Sequence, residues 1–181
     1  LRLSAIPTSL TVGNLVCGVL AIAYLIDAQA SFARGVPARG DELIVLAGWM
    51  ILLGMVFDGV DGSVARLVRS TTEFGGALDS LADMVTFGVA PALTAKVLME
   101  TSLGFTETKT TFLTAAFYAA CACLRLARYN AEHDEPEAAV DRFSGLPTPG
   151  AAGVIAGVAI VHGQLLQSFQ PEAGKRVVLA Y

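Results

Sequence analysis

Long uncharged stretches constrain this chain more than any other feature of its sequence. The first is residues 3–26, between Arg2 and Asp27, whose 24 residues can cross a hydrocarbon core as a helix. Lipid offers no hydrogen-bond partner to an exposed backbone, so such stretches satisfy their polar groups as helices. With 54% apolar and only 15% charged residues, the sequence predicts a membrane protein.

The other predicted spans alternate with stretches rich in Gly, Pro and charged residues, which are typical of loops. Leu43–Phe57 is too short to cross a membrane, so we expect its helix to continue to about Arg66. Gly153 and Gly157 form a small-xxx-small pattern that favours close helix contact. The predicted spans are residues 3–26, 43–66, 74–95, 110–129 and 143–171, with loops at 28–42, 67–73 and 130–142.

We expect an all-α fold, a polytopic membrane helical bundle with at least five transmembrane helices and the start of a sixth near Lys175. Residues 1–181 are interpreted as a single membrane domain, truncated at the C-terminus, because the chain begins with Leu and stops in a new apolar run. Alternating spans place the starts of the first, third and fifth helices at the same membrane face as the ends of the second and fourth. The net charge of −4 and the lack of a basic run argue against a nucleic-acid partner.

Four of the eight aspartates fall within the 26 residues from Asp58 to Asp83. Asp58 and Asp61 are three apart, Asp79 and Asp83 are four apart, and both spacings place two side chains on one helix face. Neighbouring helices can therefore direct four carboxylates at one point. Clustered acids inside a membrane are costly unless a cation compensates them. Ligands that are all oxygen suit a hard ion such as Mg²⁺, Mn²⁺ or Ca²⁺.

Small residues and an arginine lie among these acids. Gly62, Ala65 and Gly75 leave room for a ligand to approach the helix backbone, or for another helix to pack closely. Arg66 can hold a phosphate by paired hydrogen bonds or pair with an aspartate. The residue types alone leave both alternatives open.

The chain resembles the CDP-alcohol phosphotransferases in all eight fixed positions of their signature DxxDGxxARx8GxxxDxxxD. The matching residues are Asp58, Asp61, Gly62, Ala65, Arg66, Gly75, Asp79 and Asp83. Three further stretches resemble the phosphatidylserine synthase branch of that family. They are residues 7–18 (PTSLTVGNLVCG), 125–130 (RLARYN) and 143–149 (FSGLPTP).

The resemblance implies a helical membrane enzyme that moves a phosphoalcohol group from a CDP-linked lipid to a hydroxyl and releases CMP. It implies that Asp58, Asp61 and Asp79 bind one or two divalent ions, Mg²⁺ or Mn²⁺, with Ca²⁺ as an alternative. Asp83 is the implied general base and is counted among the metal contacts as well. The residues implied to border the nucleotide and diphosphate are Asp58, Gly62, Ala65, Arg66 and Gly75.

Acceptor specificity must depend on residues outside the signature. Arg125 and Arg128 are three apart on one helix face, and their guanidinium groups match the carboxylate of serine or the phosphate of the lipid. They also suit a membrane interface, where arginines extend to water. Ser144 lies in the neighbouring resembling stretch. Asn14, inside the first span, needs a partner, which is the nucleotide, serine or another helix.

Phosphatidyl transfer from CDP-diacylglycerol to serine is the leading hypothesis for function. Alternatives within the family use other acceptors and make phosphatidylglycerophosphate, phosphatidylinositol phosphate or phosphatidylcholine. Outside it, a divalent-cation transporter also needs carboxylates in the membrane, and a purely structural role for the aspartates is the remaining alternative.

The family resemblance also implies a location and partners. We expect a lipid bilayer, namely a prokaryotic cytoplasmic membrane with the site on its cytoplasmic side, and a homodimer. The sequence does not supply the orientation independently, because six basic residues fall at or near each membrane face.

Overall fold

The computed structural model describes residues 5–68, 73–101, 108–133 and 146–169, which form helices and contain no strand. The predicted all-α class is therefore confirmed. The helices are α1 (Ala5–Ala33), α2 (Pro37–Val68), α3 (Glu73–Asp83), α4 (Ala90–Thr101), α5 (Thr108–His133) and α6 (Thr148–Phe169), and a π-helical segment, Met84–Val89, joins α3 to α4.

Five helical stretches in the described ranges are long and apolar enough to cross a membrane. They are Ser9–Ala33, Pro37–Ser63, Phe74–Thr101, Lys109–Ala131 and Thr148–Leu166. Large apolar side chains on α5 are open to the surroundings, since Phe112, Phe117 and Leu124 are 61%, 72% and 71% exposed. Such a surface suits lipid rather than water. The protein is an integral membrane protein, as predicted; the start of a sixth span lies outside the described residues.

The loop predicted at residues 28–42 is wrong. α1 continues to Ala33 and α2 begins at Pro37, whose missing N–H is harmless in the first turn of a helix. Gly35 makes the turn with φ of 76°, a value that favours glycine. The charged residues of this region are tolerated because the 32 residues of α2 extend about 48 Å, beyond the hydrocarbon thickness. The first hairpin therefore consists of two long helices with a short turn.

The third span, predicted at residues 74–95, runs on to Thr101 and contains the π segment that the sequence did not predict. Pro91 has no N–H to offer the carbonyl of Phe87, four residues earlier. The hydroxyl of Tyr118, on α5, donates to that carbonyl at 3.3 Å. This hydrogen bond couples α5 to the irregular part of the third span.

The other predicted boundaries are close to the observed ones. α5 extends beyond the predicted 110–129 at both ends, and the described part of α6 lies within the predicted 143–171. The predicted link at 67–73 is shorter, because α2 ends at Val68 and α3 begins at Glu73. Most of the predicted loop at 130–142 lies outside the described residues.

Small residues bring α2 and α6 into close contact, but not in the predicted way. A Cβ added at Gly48 would lie 2.9 Å from Cγ1 of Ile160 and 3.0 Å from the carbonyl oxygen of Ala156. A Cβ at Gly153 would lie 3.3 Å from Sδ of Met55, whereas one at Gly157 would meet no described atom within 4 Å. Gly157 therefore does not make the close contact that its spacing from Gly153 predicted.

A polar cluster joins three helices at the end of the bundle where α1 finishes. Glu100 accepts hydrogen bonds from Lys96 at 2.8 Å, from Thr111 at 2.7 Å and from Gln29 at 3.3 Å. These donors come from α4, α5 and α1, respectively. The carboxylate of Glu100 thus fixes the relative positions of three helices far from the aspartate signature.

Replacing Gly48 by Val should lower the free energy of unfolding by about 1–3 kcal/mol, because the added carbons meet the α6 backbone. Thermal unfolding of the purified protein in detergent measures this effect. Gly157→Val is the matched control and should unfold close to the unmodified temperature. Equal losses in the two variants would contradict the observed packing of α2 on α6.

Candidate functional site

Four side-chain hydrogen bonds bring the predicted helix ends together at one end of the bundle. Each joins residues far apart in the sequence, so the contacts define the arrangement of the helices. They are Thr11–Asp61, Asn14–Asp83, Ser80–Asn130 and Arg125–Thr148. The starts of α1 and α6, the first part of the third span (α3) and the ends of α2 and α5 therefore share one face, as the alternation of spans predicted.

Three of the signature aspartates form a compact group. Asp58, Asp61 and Asp79 each offer a carboxylate oxygen, and the three oxygens lie within 4.8 Å of one another. Asp61 is buried, with 4% of its surface exposed, and Oδ1 of Asp79 is buried with no hydrogen-bond donor among the described residues. Asp58 and Asp79 are half-buried, and carboxylates this close repel one another unless positive charge lies between them. The group is thus a candidate cation site.

The donor set fits a hard divalent ion. Oxygens bound to one Mg²⁺ or Ca²⁺ ion lie at most about 4–5 Å apart, because each metal–oxygen distance is about 2.0–2.6 Å. The carboxylate oxygens lie within 4.8 Å of one another, a bound that meets the limit for Ca²⁺ and is wider than the limit of about 4.2 Å for Mg²⁺. Oδ1 of Asp79 is buried and accepts no hydrogen bond from the described part of the chain, so this atom most needs such a partner. These residues therefore fit the predicted class of cofactor, while the identity of the ion stays a prediction.

Asp83 lies one turn beyond Asp79, at the end of α3, and is not part of the three-carboxylate group. Its Oδ1 accepts a hydrogen bond from the amide nitrogen of Asn14 at 2.9 Å. Asn14 is fully buried. Of the three partners considered for this asparagine, the structure shows the last, a side chain on another helix. The separation of Asp83 from the group agrees with a role different from that of the other three acids.

Thr11 is one residue near the site that the sequence analysis did not single out. Its hydroxyl donates to Oδ2 of Asp61 at 2.8 Å, and only 5% of Thr11 is exposed. The available signal was its position three residues before Asn14, which places both on one face of α1. A threonine in an apolar helix gives no sign by itself of what it contacts.

The structure describes the two glycines of the signature but not the side chains of its alanine and arginine. A Cβ at Gly62 would meet no described atom within 4 Å, so the described part of the chain leaves open space above the backbone next to Asp61. Gly75 lies half-buried near the start of α3. Ala65 and Arg66 lie on α2, but their side chains fall outside the described part. Open space at Gly62 agrees with a ligand there, and the other predicted contacts stay predictions.

The predicted acceptor residues are divided among different surroundings. Arg125 donates to the hydroxyl of Thr148 at 2.7 Å and lines a cavity of about 130 Å³ between α5 and α6 with Tyr118 and Leu146. Arg128 lies on the exposed surface of α5, and Ser144 lies outside the described residues. Of the three, Arg125 is placed where a small polar molecule has room beside it.

The fold and the site define a class: a helical integral membrane protein with an acidic cation site at one end of its bundle. The chain belongs to the CDP-alcohol phosphatidyltransferase family, whose model matches residues 4–179. The family resemblance of the aspartate signature is thereby confirmed. No solved structure matches the chain significantly.

Curated relatives resemble the chain along most of its length. It is 33% identical to a Mycobacterium tuberculosis protein over 90% of this chain and 51% of that one, and 32% identical to a Bacillus subtilis protein over 89% and 78%. It is 41% identical to a Saccharomyces cerevisiae protein over 62% and 41%. All three are named CDP-diacylglycerol–serine O-phosphatidyltransferase. The chain spans about half the length of the mycobacterial relatives.

Manganese should raise the melting temperature of the purified protein, and Asp79→Asn should remove most of that rise. At a free ion concentration one hundred times Kd, binding to the folded state adds about 2.7 kcal/mol of stability. Without metal, Asp79→Asn should melt no lower than the unmodified protein, because it removes like-charge repulsion.

Differential scanning fluorimetry in detergent, with and without Mn²⁺, makes the comparison. Asp27→Asn, an exposed aspartate on α1 beyond the site, is the matched control and should keep the full rise. A rise in Asp79→Asn equal to that of the control would contradict the cation site.

Proposed function

We propose that the protein transfers the phosphatidyl group of CDP-diacylglycerol to the hydroxyl of serine and releases CMP. The observation that carries this proposal is the convergence of the signature acids Asp58, Asp61 and Asp79 within 4.8 Å. Family membership supports the reaction class, and the names of the relatives support the two substrates.

Donor binding is assigned to the acids and small residues of α2 and α3. Asp58, Asp61 and Asp79 would hold one or two ions, Mg²⁺ or Mn²⁺, against the diphosphate. A bound divalent ion supplies positive charge that stabilises the phosphates and the CMP leaving group. Gly62, with open space above it, would let the nucleotide approach the α2 backbone. Ala65, Arg66 and Gly75 complete the proposed donor site.

Asp83 is assigned the role of general base. Its carboxylate would take the proton of the serine hydroxyl as the hydroxyl oxygen attacks the phosphatidyl phosphorus. The new P–O bond forms as the bond to CMP breaks, and CMP leaves with the electron pair. Asp83 suits this role because it lies outside the three-carboxylate group while sharing its helix with Asp79.

Serine recognition is assigned to the region around Arg125. Its guanidinium lies beside a cavity of about 130 Å³, and its hydrogen bond to Thr148 restrains its position. A planar guanidinium pairs well with the carboxylate of serine. Arg128 and Ser144 are further proposed contacts. An arginine also suits a phosphorylated acceptor, so transfer to glycerol 3-phosphate or inositol phosphate is the alternative within the family.

The orientation and assembly are further parts of the proposal. We place the acidic end of the bundle at the cytoplasmic side of a cytoplasmic membrane, because serine and CMP are soluble cytoplasmic molecules. A homodimer is proposed from the family resemblance.

Purified protein with Mn²⁺ or Mg²⁺ should release CMP from CDP-diacylglycerol when serine is added, and phosphatidylserine should form in equal amount. Asp83→Asn should lower this rate by about 10²–10⁴-fold, because the proton acceptor is lost. Asp83→Asn should keep the metal-induced rise in melting temperature. Chromatographic measurement of CMP and lipid product checks both expectations.

Asp27→Asn is the control and should react at the unmodified rate. Activity with glycerol 3-phosphate or inositol phosphate but not with serine would contradict the acceptor and retain the reaction class. No CMP release with any alcohol would contradict the proposed function.

A further inference from the structure

We propose that Thr11 and Asn14 on α1 are positioning residues with separate tasks. Thr11 orients Asp61 for the cation, and Asn14 orients Asp83 for the acceptor proton. The Asn14 half rests on the proposed function, whereas the Thr11 half depends only on metal binding.

The two hydrogen bonds start from one face of one helix and end on two different helices. Thr11 and Asn14 are three residues apart, while their partners lie on α2 and α3. The donor–acceptor distances are 2.8 Å and 2.9 Å. Thr11 is 5% and Asn14 is 0% exposed, so water does not compete for these donors. α1 therefore sets the positions of both acids from a single rigid element.

α1 itself is held in register at this point. The hydroxyl of Thr86 donates to the carbonyl oxygen of Asn14 at 3.0 Å, and Thr86 is fully buried. Thr86 follows Asp83 by three residues, inside the π segment. The third span therefore makes two hydrogen bonds with Asn14. Asp83 accepts one from its side chain, and Thr86 donates the other to its backbone carbonyl.

Two glycines leave no space for Asn14 to move away. A Cβ at Gly18 would lie 2.5 Å from Oγ1 of Thr86, and one at Gly54 would lie 2.6 Å from Cγ2 of Thr86 and 2.9 Å from Oδ1 of Asn14. Helices α1, α2 and the π segment are thus in backbone-level contact around this amide. The amide nitrogen of Asn14 faces Asp83, while its oxygen is buried with no hydrogen-bond partner among the described residues.

Each hydrogen bond holds one oxygen of its carboxylate and restricts the rotation of that group. At Asp61, Thr11 donates to Oδ2 and the backbone N–H of Gly62 donates to the same carboxylate, so its orientation toward the cation is fixed. Asn14 occupies Oδ1 of Asp83, and the other oxygen can accept a proton. Residues that orient metal ligands in this way change metal affinity by about 10–100-fold when they are removed. Misplacing a reacting group by about 1 Å can cost about 10²-fold in rate.

The metal half is tested with manganese and no substrate. Thr11→Val keeps the shape of the side chain and removes the hydroxyl, so Mn²⁺ binding measured by electron paramagnetic resonance should weaken by about 10–100-fold. Thr11→Ser restores the hydroxyl and should recover most of the affinity. Unchanged Mn²⁺ affinity in Thr11→Val, or failure of the serine to rescue it, would overturn this half.

The base half is tested by kinetics. Asn14→Leu keeps the branched shape of the side chain, with larger methyl groups in place of the amide, and has no donor. It should lower kcat for CMP release by about 10²-fold while KM for both substrates and Mn²⁺ affinity change little. A raised KM for CDP-diacylglycerol with unchanged kcat would overturn the positioning role and indicate nucleotide binding instead. Loss of Mn²⁺ binding in Asn14→Leu would overturn the separation of tasks.

Thr86→Val provides a second variant if Asn14→Leu does not fold. It removes the hydrogen bond to the Asn14 carbonyl, keeps the side-chain shape, and should lower kcat by a smaller factor than Asn14→Leu with KM unchanged. If Thr86→Val keeps the kcat of the unmodified protein, the proposed role of the Thr86–Asn14 hydrogen bond in holding α1 would be contradicted. If the unmodified protein releases no CMP at all, the proposed function and the role of Asn14 are both contradicted. The Mn²⁺ measurement on the Thr11 variants tests the role of Thr11 independently of that result.

Discussion

The repulsion among carboxylates held close together in a membrane protein is the interaction on which the rest of this structure depends. Asp58, Asp61 and Asp79 present oxygens within 4.8 Å of one another, and a buried oxygen of Asp79 has no donor among the described residues. Partial burial of these like charges raises the cost of keeping all three ionised. A divalent cation removes both the repulsion and the unsatisfied oxygen. The arrangement is therefore best understood as a site built for a ligand.

The surrounding helices hold the acids against this repulsion. Thr11 and Asn14 donate from α1 to acids on two other helices, and Thr86 fixes the backbone of α1 at that point. Contacts farther away also hold the helices together. Gly48 lets α6 approach α2, and Tyr118 donates a hydrogen bond to a carbonyl in the π segment. Helix packing in lipid relies on such close contacts and hydrogen bonds, because apolar surfaces gain little from leaving lipid.

Much of the fold and the acidic site could be predicted from the sequence, for identifiable physical reasons. The uncharged stretches determine where helices cross, and the spacings of the aspartates place them on single helix faces. The loop at residues 28–42 was mispredicted because charged and helix-breaking residues are tolerated where a helix extends past the hydrocarbon. Gly157 was assigned a close contact from spacing alone, and spacing does not say which side of α6 faces α2.

Other features depend on tertiary contacts that no local pattern records. The π segment needs a partner for the Phe87 carbonyl, and that partner, Tyr118, comes from a different helix. Asn14 was recognised as needing a partner, but only the packing of α1 against α3 selects Asp83. Thr11 gave no signal of its own. The surroundings of Arg125 likewise become visible only once α6 is in place.

Anomalous X-ray scattering from crystals grown with Mn²⁺ and measured at the manganese absorption edge is the most direct measurement of the central claim. The structure predicts a manganese peak enclosed by the carboxylates of Asp58, Asp61 and Asp79. A peak only at another acid, such as Asp41 at the far end of α2, would contradict the claim. The claim would also be contradicted if crystals grown with saturating Mn²⁺ showed no manganese peak at the three aspartates.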